Sequence, residues 1–327
     1  MPDLKRSIAL ATSHLTALEP VGPLAEAFGL HRVWSTEFQG RDALSRSLAI
    51  GASTRTLHVG TGVAYAFTRA PRALAAAALD VSELTQGRFT LGLGAGTRGL
   101  RRSFGVDDFD PPATRLAQLI GELRKIWAEP DWERPTDPPP IAAGGVNEAM
   151  LAVAAHHADR VLLHPLCLVE DHLQERVLPA LVRGADRRED GPGALSAWCI
   201  SAVDDDPALA RERARRQAAF YLSTPAYRHV LSSTPWDWHG DIIRREFAAG
   251  QADWTVLARH VPDALLDQIS VSGDPSTVGL EIDRMCSRLA VTGVDELVLQ
   301  TTDSGPSGQA AFEGVRQLIS SASIVTG

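Results

Sequence analysis

The stretch LHVGTGVAYAFTRAPRALAAAALDVSELTQGRFTLGLG, residues 57–94, contains the unit on which the fold prediction rests. Its two ends, Leu57–Val63 and Arg88–Gly94, are short apolar segments of the strand type. Pro71–Leu84, between them, is an alanine-rich segment of the helix type with proline at its start. Because parallel strands need a long connection, usually a helix, this stretch predicts one parallel β-α-β unit.

The same alternation continues on both sides of this unit. Six more apolar segments are predicted to be strands: Ser7–Thr12, Arg32–Ser35, Pro140–Ala143, Arg160–His164, Leu195–Val203 and Glu296–Gln300. The other predicted helices are Pro20–Gly29, Asp42–Ala52, Pro111–Ala128, Asn147–His157, Val169–Arg183, Pro207–Tyr221, Pro275–Val291 and Gln309–Ser321. A count of eight strands favours the α/β class and a (β/α)₈ TIM barrel over a doubly wound open sheet.

One segment interrupts the alternation. Residues 223–268 contain three prolines and three tryptophans and show no strand-helix rhythm. We interpret them as an insertion that precedes the eighth strand and lies over one end of the barrel. The whole chain, residues 1–327, is expected to be a single domain, since a barrel with an insertion reaches this length.

Composition excludes several classes of function. The net charge of −8 and the pI of about 5.7 do not favour binding to nucleic acid. No apolar run approaches the roughly 20 residues of a membrane span. The three cysteines, Cys167, Cys199 and Cys286, are far apart and form no C-x-x-C pair, so neither a disulfide framework nor a zinc site is predicted. We expect a cytoplasmic protein without a metal.

The glycine run Gly92-Leu93-Gly94-Ala95-Gly96-Thr97-Arg98-Gly99 invites comparison with a dinucleotide-binding loop. That motif requires a helix that opens directly on the last glycine, and we predict none before Pro111. Two interpretations remain open. Small residues at a strand end let a flat ring approach the backbone, or they form an ordinary tight turn.

A second small-residue segment, Ala142-Ala143-Gly144-Gly145-Val146-Asn147, lies between a predicted strand and a predicted helix. Backbone amides at a helix N-terminus attract anions, which predicts a phosphate site. The alternative is a plain strand-to-helix turn that Asn147 caps.

The candidate acids and bases are Glu37, His14 and His164, each close to the C-terminal end of a predicted strand, where barrel enzymes carry their chemistry. Each has a structural alternative, which is a solvated loop carboxylate for Glu37 and a hydrogen-bonding role for the histidines. Aromatic residues near strand ends or in the insertion either wall a pocket or pack the insertion onto the barrel: Trp34, Phe67, Tyr221, Tyr227, Trp236 and Trp238.

Several spaced motifs resemble the luciferase-like monooxygenase superfamily: TGVAYAFTRAP (61–71), LTQGRFTLGLGAG (84–96), RKIWAEP (124–130), VSGDPSTV and GVDELVLQ (293–300). Two further segments, ADRVLLHPLCLVEDHLQERVLPAL (158–181) and AFYLSTPAYRHVL (219–231), resemble the coenzyme F420 (deazaflavin)-dependent oxidoreductases of actinobacteria. The resemblance runs from about residue 30 to residue 305.

The resemblance implies a TIM barrel in which the coenzyme ring lies against a bulge after the third strand, at a cis peptide without proline that matches Gly62–Val63. It also implies a phosphate site after the fifth strand and a contribution from the end of the sixth, at His164. Arg228 is a further candidate, since a guanidinium suits an acidic coenzyme tail. The cofactor-binding residues predicted are Thr61, Gly62, Val63, Ala64, Ala95, Gly96, Thr97, Ala143, Gly144, Gly145, Val146, Asn147 and Arg228.

Two positions depart from the family pattern. Phe38 and Gln39 follow Glu37 where many relatives have histidine, and Ala95-Gly96-Thr97 lacks the glutamate that some deazaflavin sugar-phosphate dehydrogenases use.

We therefore expect an F420-dependent oxidoreductase that acts on a small organic molecule. One alternative is an FMN-dependent monooxygenase that receives reduced flavin from a separate reductase, and another is a non-catalytic flavin- or deazaflavin-binding protein. The family also implies a homodimer.

Overall fold

The structure of the protein is a computed structural model. It describes residues 4–11, 20–38, 40–106, 111–130, 136–232, 234–302 and 308–323, with the backbone alone for 308–311.

The strands form one sheet. They are β1 (Lys5–Leu10), β2 (Arg32–Ser35), β3 (His58–Thr61), β4 (Ala64–Tyr65), β5 (Phe89–Gly94), β6 (Ile141–Gly145), β7 (Arg160–Leu163), β8 (Ala194–Val203), β9 (Ser270–Gly273) and β10 (Glu296–Thr301). Eight of these strands form a closed ring of parallel pairs, which β10 closes by pairing with both β1 and β8. The strands β4 and β9 lie outside this ring. The predicted (β/α)₈ TIM barrel is confirmed.

Two short strands were not predicted. β4 pairs with the end of β5, and β9 pairs with the end of β8. Both lengthen the sheet at its C-terminal edge. They have only two and four residues, too few to give an apolar period in the sequence.

The helices surround the barrel. They are α1 (Val21–Ala27), α2 (Ala43–Ala52), α3 (Pro71–Leu84), α4 (Arg98–Ser103), α5 (Pro112–Trp127), α6 (Glu148–His157), α7 (Glu170–His172), α8 (Leu178–Ala185), α9 (Pro207–Ser223), α10 (Arg228–Leu231), α11 (Asp237–Ala248), α12 (Trp254–Ala258), α13 (Asp263–Ile269), α14 (Val278–Leu289) and α15 (Gly308–Ala322). A π-helical turn, Leu173–Val177, joins α7 to α8. The predicted insertion, residues 223–268, contains α10 to α12 and most of α13, and its helices α11 and α12 pack against α9.

The expectation that no helix follows the glycine run is wrong. Helix α4 begins at Arg98, within the run, where the Thr97 hydroxyl accepts a hydrogen bond from the Leu100 amide at 3.3 Å and caps the helix. Its six residues include three arginines and carry no apolar period, so the sequence pattern did not reveal it. The run still does not form a dinucleotide-binding fold, since β5 belongs to a closed barrel.

Two tryptophans fill the centre of the barrel. Trp34 and Trp198 lie with ring centroids 5.2 Å apart and pack with the inward side chains of Ala9, Ala142, Leu162 and Val298. Trp34 is therefore a core residue rather than the wall of an open pocket. Glycines make the space: a Cβ atom on Gly60 would stand 2.6 Å from Trp34 Cζ3.

A buried ion cluster closes the N-terminal end of the barrel. The carboxylate of Glu296 accepts hydrogen bonds from the hydroxyls of Ser7 (2.5 Å) and Ser196 (2.7 Å). It also pairs with Arg32 at 3.0 Å and Arg160 at 3.1 Å. Among the described residues, this charge cluster and the two indoles fill the lower part of the barrel, so a ligand in the barrel would lie at its C-terminal end.

Candidate active site

The floor of the site is the chain that leaves β3. The peptide bond Gly62–Val63 is cis, at the position that the family resemblance indicated. Two hydrogen bonds tie this segment to β2, one from the Gly62 amide to the Ser35 carbonyl (2.8 Å) and one from the Glu37 amide to the Val63 carbonyl (3.3 Å). The half-buried side chain of Val63 lies over two glycines of the neighbouring strands: Cβ atoms on Gly94 and Gly144 would stand 2.5 and 3.2 Å from its methyl groups. The floor beside Val63 is therefore apolar, and β5 and β6 contribute only glycines at the positions next to it.

Thr61 and Ala64, on either side of the floor, are fully buried. The Thr61 hydroxyl donates to the Gly92 carbonyl at 2.7 Å and accepts from the Gly92 amide at 2.8 Å. The Thr61 side chain therefore links β3 to β5, and both side chains are buried in the barrel wall.

The turn after β5 places half-buried residues beside the floor. Ala95, Gly96 and Thr97 are all partly exposed, and Gly96 adopts a φ of +63°, a conformation that glycine adopts readily. Arg101 lies behind the turn and donates to the Gly96 carbonyl at 2.8 Å. The turn is thus both a tight turn and a small-residue edge that a ring can approach.

The end of β6 leads from the floor to the N-terminus of α6. The Asn147 side chain accepts a hydrogen bond from the Met150 amide at 2.9 Å and caps the helix. A cap satisfies one of the first amides and leaves others for a ligand, so the structural and anion-binding interpretations of this segment are compatible. Ala143 and Val146 are buried, whereas Gly144 and Gly145 are partly exposed. A Cβ atom on Gly145 would stand 2.7 Å from Met150 Cβ, so this glycine serves helix packing.

Glu37 is buried next to the floor, with a side chain only 3% exposed. Its Oε1 atom accepts from Arg69 Nη1 at 3.0 Å, and Arg69 also pairs with Asp42, the cap of α2. No described residue bonds its other oxygen, Oε2. Burial raises the pKa of Glu37, and the Arg69 guanidinium opposes that rise. The solvated-loop interpretation of Glu37 is wrong, and no pattern in the sequence had singled out Arg69.

His164 ends β7 and faces two tyrosines. Its Nδ1 atom accepts a hydrogen bond from the Leu166 amide at 3.2 Å, so the proton of the neutral ring is assigned to Nε2. Burial lowers the pKa of His164 to about 3, which keeps the ring neutral at ordinary pH. The rings of Tyr221 and Tyr227 lie 4.3 and 4.9 Å from the imidazole. Nε2 has no hydrogen-bond partner among the described residues, and it is therefore a donor available to a ligand.

Gln300 completes this side of the site. The Tyr221 hydroxyl donates to its side-chain oxygen at 2.8 Å. Gln300 lies two residues after Val298 and four after Glu296 on β10, and both of those side chains point into the barrel. Alternate residues of a strand share one face, so the Gln300 side chain also points into the barrel, nearer its C-terminal end. The sequence analysis missed Gln300, although its place two residues after an inward valine was the available signal.

Not all the predicted residues meet at the floor. His14 lies outside the described residues. Arg228, on α10, has a side chain 69% exposed and lies 3.5 Å from Asp241. Cys167 is buried, and burial raises the pKa of its thiol to about 12, so the thiol is protonated at neutral pH.

Within the described ranges, no three metal-binding side chains come together. No helix in these ranges has the length and apolar character needed to cross a membrane.

The comparisons with known proteins agree with this geometry. The family model described as luciferase-like monooxygenase matches residues 7–296. The 5,10-methylenetetrahydromethanopterin reductase of Archaeoglobus fulgidus is 27% identical over 301 residues, which cover 86% of this chain and 88% of the reductase.

Two solved structures have the same fold. The coenzyme F420-dependent tetrahydromethanopterin reductase from Methanopyrus kandleri gives a TM-score of 0.73 at 19% identity, over 96% of this chain and 98% of the reductase. Monooxygenase RslO1 from Streptomyces bottropensis gives 0.64 at 18% identity, over 97% and 98%. The prediction of an oxidoreductase of the luciferase-like superfamily is confirmed, and the chain belongs to the luciferase-like monooxygenase family.

Proposed function

We propose that this protein is an F420-dependent oxidoreductase that transfers hydride between the deazaflavin and a small organic substrate. The observation that carries the proposal is the continuity between an apolar floor and a helix N-terminus. Gly144 lies next to Val63 on the floor, since a Cβ atom on it would stand 3.2 Å from Val63 Cγ1, and three residues later Asn147 caps α6. A flat ring with a phosphorylated tail requires such a pair of neighbouring surfaces. Relatives such as the F420-dependent reductase from Methanopyrus kandleri support the choice of coenzyme.

The residues present fit such a coenzyme. Val63 offers methyl groups to the ring, and Gly94 and Gly144 leave room around them. Ala95, Gly96 and Thr97 form the edge, and the first amides of α6 hold the phosphate. Arg228 is exposed, and we assign it to the acidic part of the tail.

When bound, the deazaflavin supplies or accepts the hydride, and the protein provides position and charge. His164 Nε2–H donates a hydrogen bond to the substrate oxygen, where negative charge develops during carbonyl reduction. Glu37 Oε2, which has no partner among the described residues, gives or takes the proton. Tyr221 and Tyr227 exclude water on the histidine side. His14 remains a second candidate for handling the proton.

A binding titration tests the choice of coenzyme. The purified protein is titrated with oxidised F420 and, separately, with FMN, and the absorption of each is followed, that of F420 lying at the shorter wavelength. We expect F420 to bind at least tenfold more tightly than FMN. The Val63→Trp variant, which covers the floor, is expected to lose binding, whereas Val63→Ala keeps it. Tighter binding of FMN would contradict the proposal.

A second candidate function is an FMN-dependent monooxygenase. Its support is the likeness of the fold to monooxygenases such as RslO1. In that case a separate reductase supplies reduced flavin, and the protein consumes O₂ when reduced FMN and substrate are added. An oxygen electrode distinguishes the two, because hydride transfer with F420 consumes none. The non-catalytic alternative predicts tight binding without turnover in either assay.

We also propose a cytoplasmic protein that folds as one domain and forms a homodimer. Its three cysteines form no disulfide, as in a reducing compartment, and the insertion packs against α9 rather than standing apart. Sedimentation tests the dimer, and limited proteolysis tests whether residues 223–268 separate from the barrel.

A further inference from the structure

Two indole rings support the proposed coenzyme floor from below. A Cβ atom on Gly62 would stand 2.7 Å from Trp198 Cζ2 and 3.2 Å from Trp34 Cβ. Both tryptophans are buried, and Val63 packs against their cluster. The floor therefore rests directly on aromatic side chains, and neither indole has room to rise.

A chain of contacts fixes these rings to the opposite end of the barrel. Trp34 Nε1 donates to Glu296 Oε1 at 3.0 Å. Glu296 is fully buried and held by Arg32 and Arg160. Burial alone raises the pKa of Glu296, but the two arginines and the hydroxyls of Ser7 and Ser196 together outweigh it and bring the pKa to about 2, so the carboxylate stays charged. Hydrogen bonds to a charged acceptor are strong, and they hold Trp34 in one orientation.

The choice of residues differs from an ordinary barrel core. Barrel interiors are filled mainly by branched aliphatic side chains in layers. Here the inward positions Gly60 and Gly62 carry no side chain, and two indoles occupy the space. An indole is a large rigid ring system with only two side-chain torsions, so a single side chain fills this space in a fixed shape.

We propose that Trp198 and Trp34 are positioning residues for the coenzyme, and that they set the height of the Gly62–Val63 floor against the ring. The inference rests on the proposed function, because it assumes that the ring lies on this floor. Trp198 has the nearer atom, and Trp34 carries the link to Glu296.

Shortening Trp198 should lower or loosen the floor. Trp198→Leu removes the atoms beneath Gly62, and Trp198→Phe keeps a ring there. A displacement of about 1 Å in a reacting group can cost about a hundredfold in rate. Trp198→Leu should therefore weaken F420 binding by at least tenfold and lower kcat further, and Trp198→Phe should recover part of both.

The experiment uses the full-length protein and three variants: Trp198→Leu, Trp198→Phe and Leu123→Ala. Leu123 is a fully buried residue of α5 outside the barrel interior, and it serves as the control for lost stability. For each protein we measure the Tm, the Kd for F420 and the absorption band of bound F420. A purely structural tryptophan would change the Tm without moving the band.

We expect Trp198→Leu to shift the band of bound F420 and raise the Kd, with Trp198→Phe between it and the wild type. Leu123→Ala should lower the Tm but leave both the Kd and the band unchanged. A wild-type band and Kd in Trp198→Leu would overturn the inference and leave the proposed function intact, as would equal losses in Leu123→Ala. If the wild type binds FMN instead, the proposed coenzyme is wrong. The Kd and absorption band of bound FMN, measured in the same variants, then decide whether the tryptophans position the ring. Binding of neither coenzyme overturns both.

Discussion

Replacement of Gly94 by alanine raises the floor of the proposed site from its edge. The new Cβ atom would stand 2.5 Å from Val63 Cγ2. Apolar carbon atoms are in favourable contact at about 3.5–4.0 Å, so the valine has to move by about 1 Å or more. Gly144 and the indoles confine Val63 on its other sides. The half-buried methyl groups therefore move towards the open end of the barrel, where the ring would lie.

The expected size of the effect follows from this displacement. Overpacking a core site of this kind costs about 1–3 kcal/mol in the free energy of unfolding. A shift of about 1 Å at the reacting centre lowers the rate about a hundredfold. Gly144→Ala is the matched smaller change, because its Cβ atom would stand 3.2 Å from Val63 Cγ1 and requires only a small adjustment.

The assay measures three quantities for both variants: the Kd for F420 by absorption, the rate of hydride transfer in a single turnover, and the Tm. We predict that Gly94→Ala loses the most affinity and rate relative to the wild type, and that Gly144→Ala loses less. If Gly94→Ala folds and binds F420 with the affinity of the wild type, the ring does not lie on Val63 and the reasoning is refuted.

Three further predictions concern charge. Asn147→Asp keeps the helix cap but adds a negative charge at the proposed phosphate site, so the Kd for F420 should rise about tenfold without loss of Tm. The control Gln118→Glu, on the exposed face of α5, should leave the Kd unchanged. Glu37→Gln should remove the change of rate on the acidic side of the pH–rate profile. Because burial raises the pKa of Glu37, the free energy of unfolding of the wild type should also fall, relative to that of the variant, as pH rises through that pKa. Denaturation at several pH values measures this difference. Parallel profiles for the two proteins would argue against both roles of Glu37. Glu296→Gln leaves the buried Arg32 without the carboxylate it pairs with, whereas Arg160 keeps Asp295 at 2.7 Å. The change should cost about 3–5 kcal/mol in urea unfolding at neutral pH, and the difference from the wild type should shrink as pH falls towards 2. A cost below about 1 kcal/mol would show that the cluster is not coupled to folding.

The strand-helix alternation predicted the barrel because each barrel strand is an apolar run and most are followed by an amphipathic or alanine-rich segment. The short elements β4, β9 and α4 escaped, since two to six residues carry no period. The family resemblance located the cis bond at Gly62–Val63. Periodicity did not tell which face of β2 points into the barrel. Neither alternative given for Trp34, a pocket wall or packing of the insertion, therefore matched its place in the barrel core.

The contacts that define the site connect residues far apart in the sequence. Arg69 reaches Glu37 across 32 positions, and Trp34 reaches Glu296 across 262. Neither pair has a spacing that marks a motif, so only the folded chain brings them together. Gly145 illustrates the reverse case: it was predicted to bind the coenzyme, and its missing side chain is explained by packing against Met150.

The most direct test of the central claim is a crystal structure of the protein with F420 bound. The account predicts that the deazaflavin ring lies in van der Waals contact with Val63 and that its phosphate accepts hydrogen bonds from the first amides of α6, at Glu148 and Ala149. A ring bound away from Val63, or a phosphate held elsewhere in the barrel, would contradict it.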